Sequence, residues 1–434
     1  MTGAPRITEF LLVAFPKALT GFGTIVFNLI LLRALGAEQF GVVSICVTSV
    51  LLVDAIIGSA IDLSVMKLAP ALRPSDPEAC KAIQRSALYL KAAGGIVLTA
   101  PLILARGPIS QALFRSSGYE SVLGISALAA LALLILRSAQ AQMQIESNYR
   151  LYGMVELLHA ALRFGGVAAI ITLGLASPLA VMACISAAPL ALVALWLASG
   201  ARGLLSPPAI DLFWSRQLVT HLRWSLLTFG LGALISRLDL FILARWAGLA
   251  EVGLYSAALT LAMMAQLAGT YIAVVTNPRV GPMMKEGRLG AFYWRFQLAL
   301  AVCCVAGYAC FHFLWSMGAN RLLPAKYAAA GDILHILLLG TLAGLATFPL
   351  TLTCLMFMRP RFLFFLDCVT LPGILLAYYL LVPGMGALGA AYVTAGANLL
   401  RALIAQAVAW HLIYLSPSRA PEAAELVEVN TPGC

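Results

Sequence analysis

The chain has 434 residues, 62% hydrophobic and 11% charged, with a mean hydropathy of +0.94 and a formal net charge of +10. A soluble domain carries about 25% charged residues, so this composition excludes one and describes a polytopic membrane protein. The basic excess argues against nucleic acid as a partner, because Lys and Arg sit in short loops between apolar runs, where they set membrane orientation.

Twelve apolar runs read as transmembrane helices, at 8–32, 41–66, 84–105, 119–140, 153–175, 178–199, 222–246, 252–276, 292–316, 333–357, 362–382 and 388–414. Each reaches the roughly 20 residues that the hydrocarbon requires. The first run lacks a small-residue cleavage site and is followed at once by another, so it is expected to be retained in the membrane. The nine cysteines lie mostly inside these runs without disulfide or metal-ligand spacing. They read as small buried hydrophobes.

Ionisable residues inside the runs carry the most information, since each costs about 2.5–3.5 kcal/mol near the membrane centre and must face a partner or a cavity. The basic ones are Lys17, Lys91, Arg137, Arg163, Arg237 and Arg401, and the acidic ones Asp54, Asp62, Glu156, Asp239 and Asp367. In span 1, Lys17 follows Pro16, which removes a backbone bond and can kink the helix. In span 2, Asp54, Gly58 and Asp62 fall within about 80° of one another around the helix, with the glycine allowing close approach of a neighbour. Asp54 has no cation at i±3 or i±4. Two readings stand for it: a protonatable carboxylate that couples to an ion gradient, or a fixed pair with Lys17 or an arginine of another span.

Span 4 carries Arg137, Gln140 and Gln144 at i, i+3, i+7, and span 5 repeats the spacing with Glu156, His159 and Arg163. Each set makes one stripe on its helix. The stripes read either as interfacial residues snorkelling or pairing with each other, or as a cationic wall that receives a diphosphate and sugar hydroxyls. In span 7, Arg237 and Asp239 are two residues apart, on roughly opposite sides of a helix, so at least one needs a distant partner or a cavity. The candidate substrate-binding residues are therefore Arg137, Gln140, Gln144, Glu156, His159, Arg163, Lys17 and Arg237. The candidate ion-coupling residues are Asp54, Asp62 and Asp239. Asn398 and Arg401 on span 12 read as helix packing. No HExxH, GxxxxGK[ST] or CxxC occurs, so no metal, nucleotide or other cofactor is expected.

With the N-terminus placed in the cytoplasm, sixteen of the 28 Lys and Arg fall on inner loops and six on outer ones, which puts both termini inside. The corner LLRALGAEQFGV at 31–42 recurs as LARWAGLAEVGL at 243–254, aligning Arg33 with Arg245, Gly36 with Gly248 and Gly41 with Gly253. One copy follows span 1 and the other span 7, an even separation, so the halves are expected to be parallel repeats. The expected organisation is a six-helix lobe over 1–200, a cytoplasmic linker over 201–221, a second six-helix lobe over 222–414, and a disordered cytoplasmic tail over 415–434.

Three stretches, LLRALGAEQFGV, SRLDLFILARWAGLAEVGLYS across spans 7 and 8, and VPGMGALGAAYV between spans 11 and 12, resemble the polysaccharide transporter family. That family belongs to the multidrug/oligosaccharidyl-lipid/polysaccharide flippase superfamily and includes the bacterial O-antigen flippases. The resemblance implies an all-α protein with two parallel six-helix lobes around a central cavity that opens alternately to either side. It also implies export of an undecaprenyl-diphosphate-linked glycan across the bacterial inner membrane, coupled to an ion gradient, with membrane lipids and glycan polymerase or assembly proteins as partners. A peptidoglycan-precursor flippase of the superfamily usually has fourteen spans, against twelve here. Two alternatives remain at this stage: a drug or metabolite antiporter of the related branch, and a membrane enzyme of glycan assembly such as a polymerase or ligase. The outer loops, about a dozen residues at most, are short for the enzyme.

Overall fold

The computed structural model describes residues 7–73, 76–198, 212–285, 288–317, 330–358 and 360–415. The expected tail beyond 415 and most of the expected linker lie outside them. Among the described residues every regular element is helical, and nine segments are long and apolar enough to cross a membrane. The protein is an all-helical, multi-pass membrane protein, as expected when no water is present to satisfy exposed backbone groups.

In chain order the helices are α1 (Ile7–Leu35), α2 (Ala37–Val53), α3 (Ser59–Leu72), α4 (Pro77–Leu104), α5 (Arg106–Phe114), α6 (Glu120–Ile145), α7 (Tyr149–Thr172), α8 (Pro178–Trp196), α9 (Leu212–Ile235), α10 (Leu238–Trp246), α11 (Leu249–Lys285), α12 (Leu289–Ser316), α13 (Ala330–Met358) and α14 (Pro360–Trp410). Several starts are written in the loops. Asp76, Asn148 and Ser177 cap α4, α7 and α8 by accepting from the backbone N–H of Ala79, Leu151 and Ala180, and Pro77 and Pro178 occupy first-turn positions that need no donor. Two expected spans are not regular. Span 2 runs through α2 and α3 with a π-helical turn, Asp54–Gly58, between them. Span 7 is divided at Ser236 and Arg237 into α9 and α10.

The chain forms two compact units, Met1–Gly253 and Leu254–Cys434. In the first, α6 lies at the centre, packed by α2, α4 and α8. Its buried residues include Ala127, Ala129, Ala130, Ala132 and Ala139, small residues that let helices approach closely where dispersion drives association. Leu218 and Leu222 of α9 join Ala60, Ile61, Val65, Ile83 and Ala87 in a second apolar cluster, so the first half of span 7 packs on α3 and α4.

The repeated corner turns on a positive-φ glycine in both copies. Gly36 (φ 82°) separates α1 from α2, and Gly248 (φ 97°) separates α10 from α11, a left-handed conformation that favours glycine. The two corners also meet. A Cβ on Gly41 would strike the Leu249 carbonyl, and a Cβ on Gly253 would strike the Ala37 carbonyl. Ala37 and Leu249 are themselves equivalent in the repeat, so the contact is reciprocal. Beside it, Arg115 at the end of α5 donates to the Arg245 carbonyl at 2.7 Å, placing a cation on the C-terminal turn of α10.

In the second unit, the 51-residue α14 is interrupted at Gly386 (φ 56°, ψ −132°). Asp367 and Arg401 lie 2.6 Å apart, and Tyr378 Oη is 2.8 Å from Thr394 Oγ1. In one straight helix the first pair would be separated by about 50 Å. The segment is therefore an antiparallel hairpin turning near Gly386, which agrees with the two spans expected over 362–382 and 388–414. Arg401, expected to serve packing, does so as one half of this buried ion pair. Tyr293 Oη meets Thr351 Oγ1 at 2.7 Å and Gln406 Oε1 at 2.9 Å, joining α12, α13 and α14 through neutral hydrogen bonds.

The glycine contact makes a stability prediction. Gly253→Val should lower stability by about 1–3 kcal/mol, read as the thermal midpoint of the purified protein in detergent. Gly307→Ala, in open space on α12, should not lower the midpoint, since alanine is the better helix former. An unaltered midpoint for Gly253→Val would contradict the close approach.

Candidate functional site

The first unit contains a cavity of about 490 Å³. Four stretches of chain supply its charged and hydroxyl wall: Lys17, Thr20 and Thr24 from α1; Asp54, Ser59 and Asp62 from the π-turn and α3; Arg137 from α6; and Glu156, His159 and Arg163 from α7. Arg137 of the stripe expected on span 4 and all three residues of the stripe expected on span 5 thus border one space. Lys17, Thr20 and Thr24 share the same i, i+3, i+7 spacing, so α1 contributes a third stripe.

Helix α1 is seated on α7 by specific contacts. Gly153 has no side chain because its Cβ would meet the Leu12 carbonyl and Pro16 Cγ, the latter at 3.2 Å. Lys17 Nζ sits 5.6 Å from the Tyr152 ring centre, and the Arg163 guanidinium lies 4.7 Å from the Phe164 ring and 5.8 Å from Phe27. Such cation–π contacts hold a charge in place without neutralising it. Arg163 also donates to Thr24 Oγ1 at 2.8 Å, while its buried Nε has no acceptor among the described residues. Among the described residues, neither Lys17 nor Arg163 has a carboxylate partner.

Arg137 and Glu156 do form a pair, at 3.4 Å, and Gln140 ties them together. Arg137 donates to Gln140 Oε1 at 2.8 Å, and Gln140 Nε2 donates to Glu156 Oε2 at 2.7 Å. Gln140 is buried and does not line the cavity, so it supports the wall from behind. Asp62 reaches the cavity and is paired at 2.6 Å with Lys91 of α4. Asp54 lines the cavity and makes no ion pair among the described residues. Its place on the π-turn explains Gly58, whose Cβ would crowd the Asp54 carboxylate and approach Leu134 of α6 to 3.2 Å. The glycine therefore makes room for the acid itself as well as for a neighbouring helix. Single π-turns inside α-helices are frequent at functional sites.

Three expected site residues lie away from this cavity. Gln144 is in the last turn of α6. Arg237 is the N-cap residue of α10, and Asp239, in its first turn, is buried with Oδ1 accepting from the Leu240 N–H. The break at Ser236 and Arg237 ends the regular helix on which opposite faces had been assigned to the pair. Conversely, Lys91, Thr20, Thr24 and Ser59 were not assigned to the site from sequence. A buried lysine in span 3 with no local partner was the available signal for Lys91, and helical spacing from Lys17 for the two threonines. Among the described residues no three His, Cys, Asp or Glu are placed to hold a metal ion.

The family model for polysaccharide biosynthesis proteins matches residues 17–284, more than half of the chain and all of the cavity wall. The chain belongs to the polysaccharide biosynthesis protein family. It is accordingly a membrane transporter of the multidrug/oligosaccharidyl-lipid/polysaccharide superfamily and not an enzyme. No curated protein sequence matches it. Solved structures share the fold of this polysaccharide biosynthesis family protein. An outward-facing multidrug resistance transporter of the MATE family is 15% identical with a TM-score of 0.65, covering 94% of this chain and 96% of that one. A superfamily transporter from Pyrococcus furiosus, described as having a binding pocket of reversed polarity, is 15% identical with a TM-score of 0.66, covering 93% and 95%. The lipid II flippase MurJ, inward closed, is 9% identical with a TM-score of 0.69, covering 96% and 92%.

The arrangement separates the two glutamines of α6. Gln140→Met keeps volume but removes both charge-assisted bonds, and should lower stability by about 1.5–3 kcal/mol, measured by thermal unfolding. Gln144→Met should be neutral. Equal effects would contradict the supporting role of Gln140.

Proposed function

We propose that this protein is a flippase that carries a lipid-linked glycan, an undecaprenyl-diphosphate oligosaccharide or polysaccharide precursor, from the inner to the outer leaflet of the bacterial inner membrane. The observation that carries this reading is the pair of cations, Lys17 and Arg163, facing one cavity of a polysaccharide biosynthesis transporter without carboxylate partners among the described residues. A diphosphate supplies the missing negative charge, and a guanidinium matches phosphate oxygens in bidentate fashion. Thr20, Thr24 and Ser59 offer hydroxyls to the sugar, while the polyprenyl tail stays in lipid.

The architecture proposed with it has twelve spans in two parallel six-helix lobes, 1–200 and 222–414, joined by a cytoplasmic linker, with both termini and the tail in the cytoplasm. Nine long apolar segments support it, one of them a hairpin, together with two shorter apolar helices, Leu249–Ala265 and Ala330–Ala346. The equivalent corners at Gly36 and Gly248 support the repeat. Transport would proceed by alternating access. Asp54, facing the cavity without an ion pair, is the proposed coupling group; Asp62 is held by Lys91, and Asp239 lies away from the cavity. An antiporter for drugs or metabolites shares the fold, and its outcome is built into the test.

Reconstituted in proteoliposomes, the protein should translocate an undecaprenyl-diphosphate oligosaccharide. Arg163→Ala and Arg137→Ala should abolish this while remaining in the membrane, and Arg237→Ala should retain it. Full transport by both cavity variants, or transport of a lipophilic cation in place of the glycan lipid, would reject the reading. Asp54→Asn should remove any dependence of the rate on a pH gradient; unchanged dependence would remove Asp54 from the coupling role.

A further inference from the structure

Taken alone, the cavity wall is formally neutral, with Lys17, Arg137 and Arg163 set against Asp54, Asp62 and Glu156. The charge that breaks the balance does not touch the cavity. Lys91 stands behind the wall on α4, 1% exposed, with Nζ 2.6 Å from Asp62 Oδ1. Asp62, by contrast, keeps a quarter of its side chain open. Among the described residues, Asp62 is the single carboxylate within ion-pair distance of Lys91. Water does not reach the ammonium, so its field is far less screened than that of a surface lysine. Replacing a buried ion pair by apolar residues is often neutral or stabilising, so stability alone does not account for this one. A field directed at the cavity does.

We infer that Lys91 is the specificity-determining residue for ligand charge: by neutralising Asp62 from behind, it leaves the cavity with one net positive charge and a preference for anions over cations. This rests on reading the cavity as the ligand site. A ligand would meet the front of Asp62, already compensated, and the uncompensated Lys17 and Arg163. Removing Lys91 would expose the acid to whatever enters. Removing Asp62 as well would restore the original balance, although two charged residues had been lost.

The test uses the full-length protein in lipid nanodiscs and two probes, farnesyl diphosphate and tetraphenylphosphonium, with the ratio of their affinities as the readout. Lys91→Met should move the ratio at least tenfold toward the cation, since one charge roughly 10 Å away at an effective dielectric constant near 20 changes the affinity of even a singly charged probe by about that factor. Lys91→Arg should keep the wild-type ratio, and Asp62→Asn/Lys91→Met should return to it. An unchanged ratio in Lys91→Met, or a double variant no better than the single, would overturn the assignment. Should Lys91→Met fail to fold, Asp62→Asn alone carries the test, because it must shift the ratio toward the diphosphate; no shift overturns it equally. A wild-type protein that prefers the cation would reject the flippase reading separately, since the direction of the Lys91 shift is read whichever probe binds better.

Discussion

An ionised side chain inside a hydrocarbon slab must find a partner or water, because left alone it costs about 2.5–3.5 kcal/mol even on the forgiving insertion scale. The described structure follows this constraint closely. Asp367 and Arg401 cancel each other in the second unit, and Lys91 cancels Asp62 in the first. Arg137 and Glu156 cancel through a looser pair reinforced by Gln140. Lys17, Arg163 and Asp54, which make no ion pair among the described residues, border one cavity, while Arg237 and Asp239 stand at the break of span 7, where Asp239 accepts from the Leu240 N–H. Pairing elsewhere thus concentrates the uncompensated charge where a polar ligand or water can meet it.

The same constraint governs the neutral polar groups. Tyr293, Thr351 and Gln406 satisfy one another across three helices, as do Tyr255, Thr394 and Tyr378. Serines and threonines such as Ser49, Ser64 and Thr99 return their hydroxyls to the carbonyl four residues back. Among the described residues the second unit is held by such knots and one ion pair, whereas the first gathers most of its in-span charges around the cavity. That contrast matches the family model, whose matched stretch contains all of the wall.

Hydropathy made the helices legible in the sequence, and a 3.6-residue period made the stripes legible. Arg137, Glu156, His159 and Arg163 could be placed on shared faces from spacing alone, because each face is a local property of one helix. Which face met which could not be read so, since packing partners lie far apart in the chain. Lys91 was visible as a lysine in a span, but its partner is 29 residues away on a different helix. The Asp367–Arg401 pair was hidden for the same reason. The break in span 7 escaped because Ser236 and Arg237 are neither glycine nor proline and the apolar run continues on both sides of them. The repeated corner was plain in the sequence, yet its reciprocal contact through Gly41 and Gly253 required the fold.

The π-turn at Asp54–Gly58 fixes more than the direction of one carboxylate. It is a one-residue phase shift written into a helix whose two ends are tied to different partners. Upstream, α2 packs on α6 and α8; downstream, α3 packs on α4 and α9 and carries Asp62 to Lys91. In a regular α-helix each residue advances by about 100°, so shortening this segment by one residue would swing everything downstream by that angle relative to everything upstream. Ser59 and Asp62 would leave the cavity together, and Lys91 would lose its counter-ion. Span 2 therefore works as two gears on one shaft, and their phase lets a single helix serve the packed core and the polar wall at once.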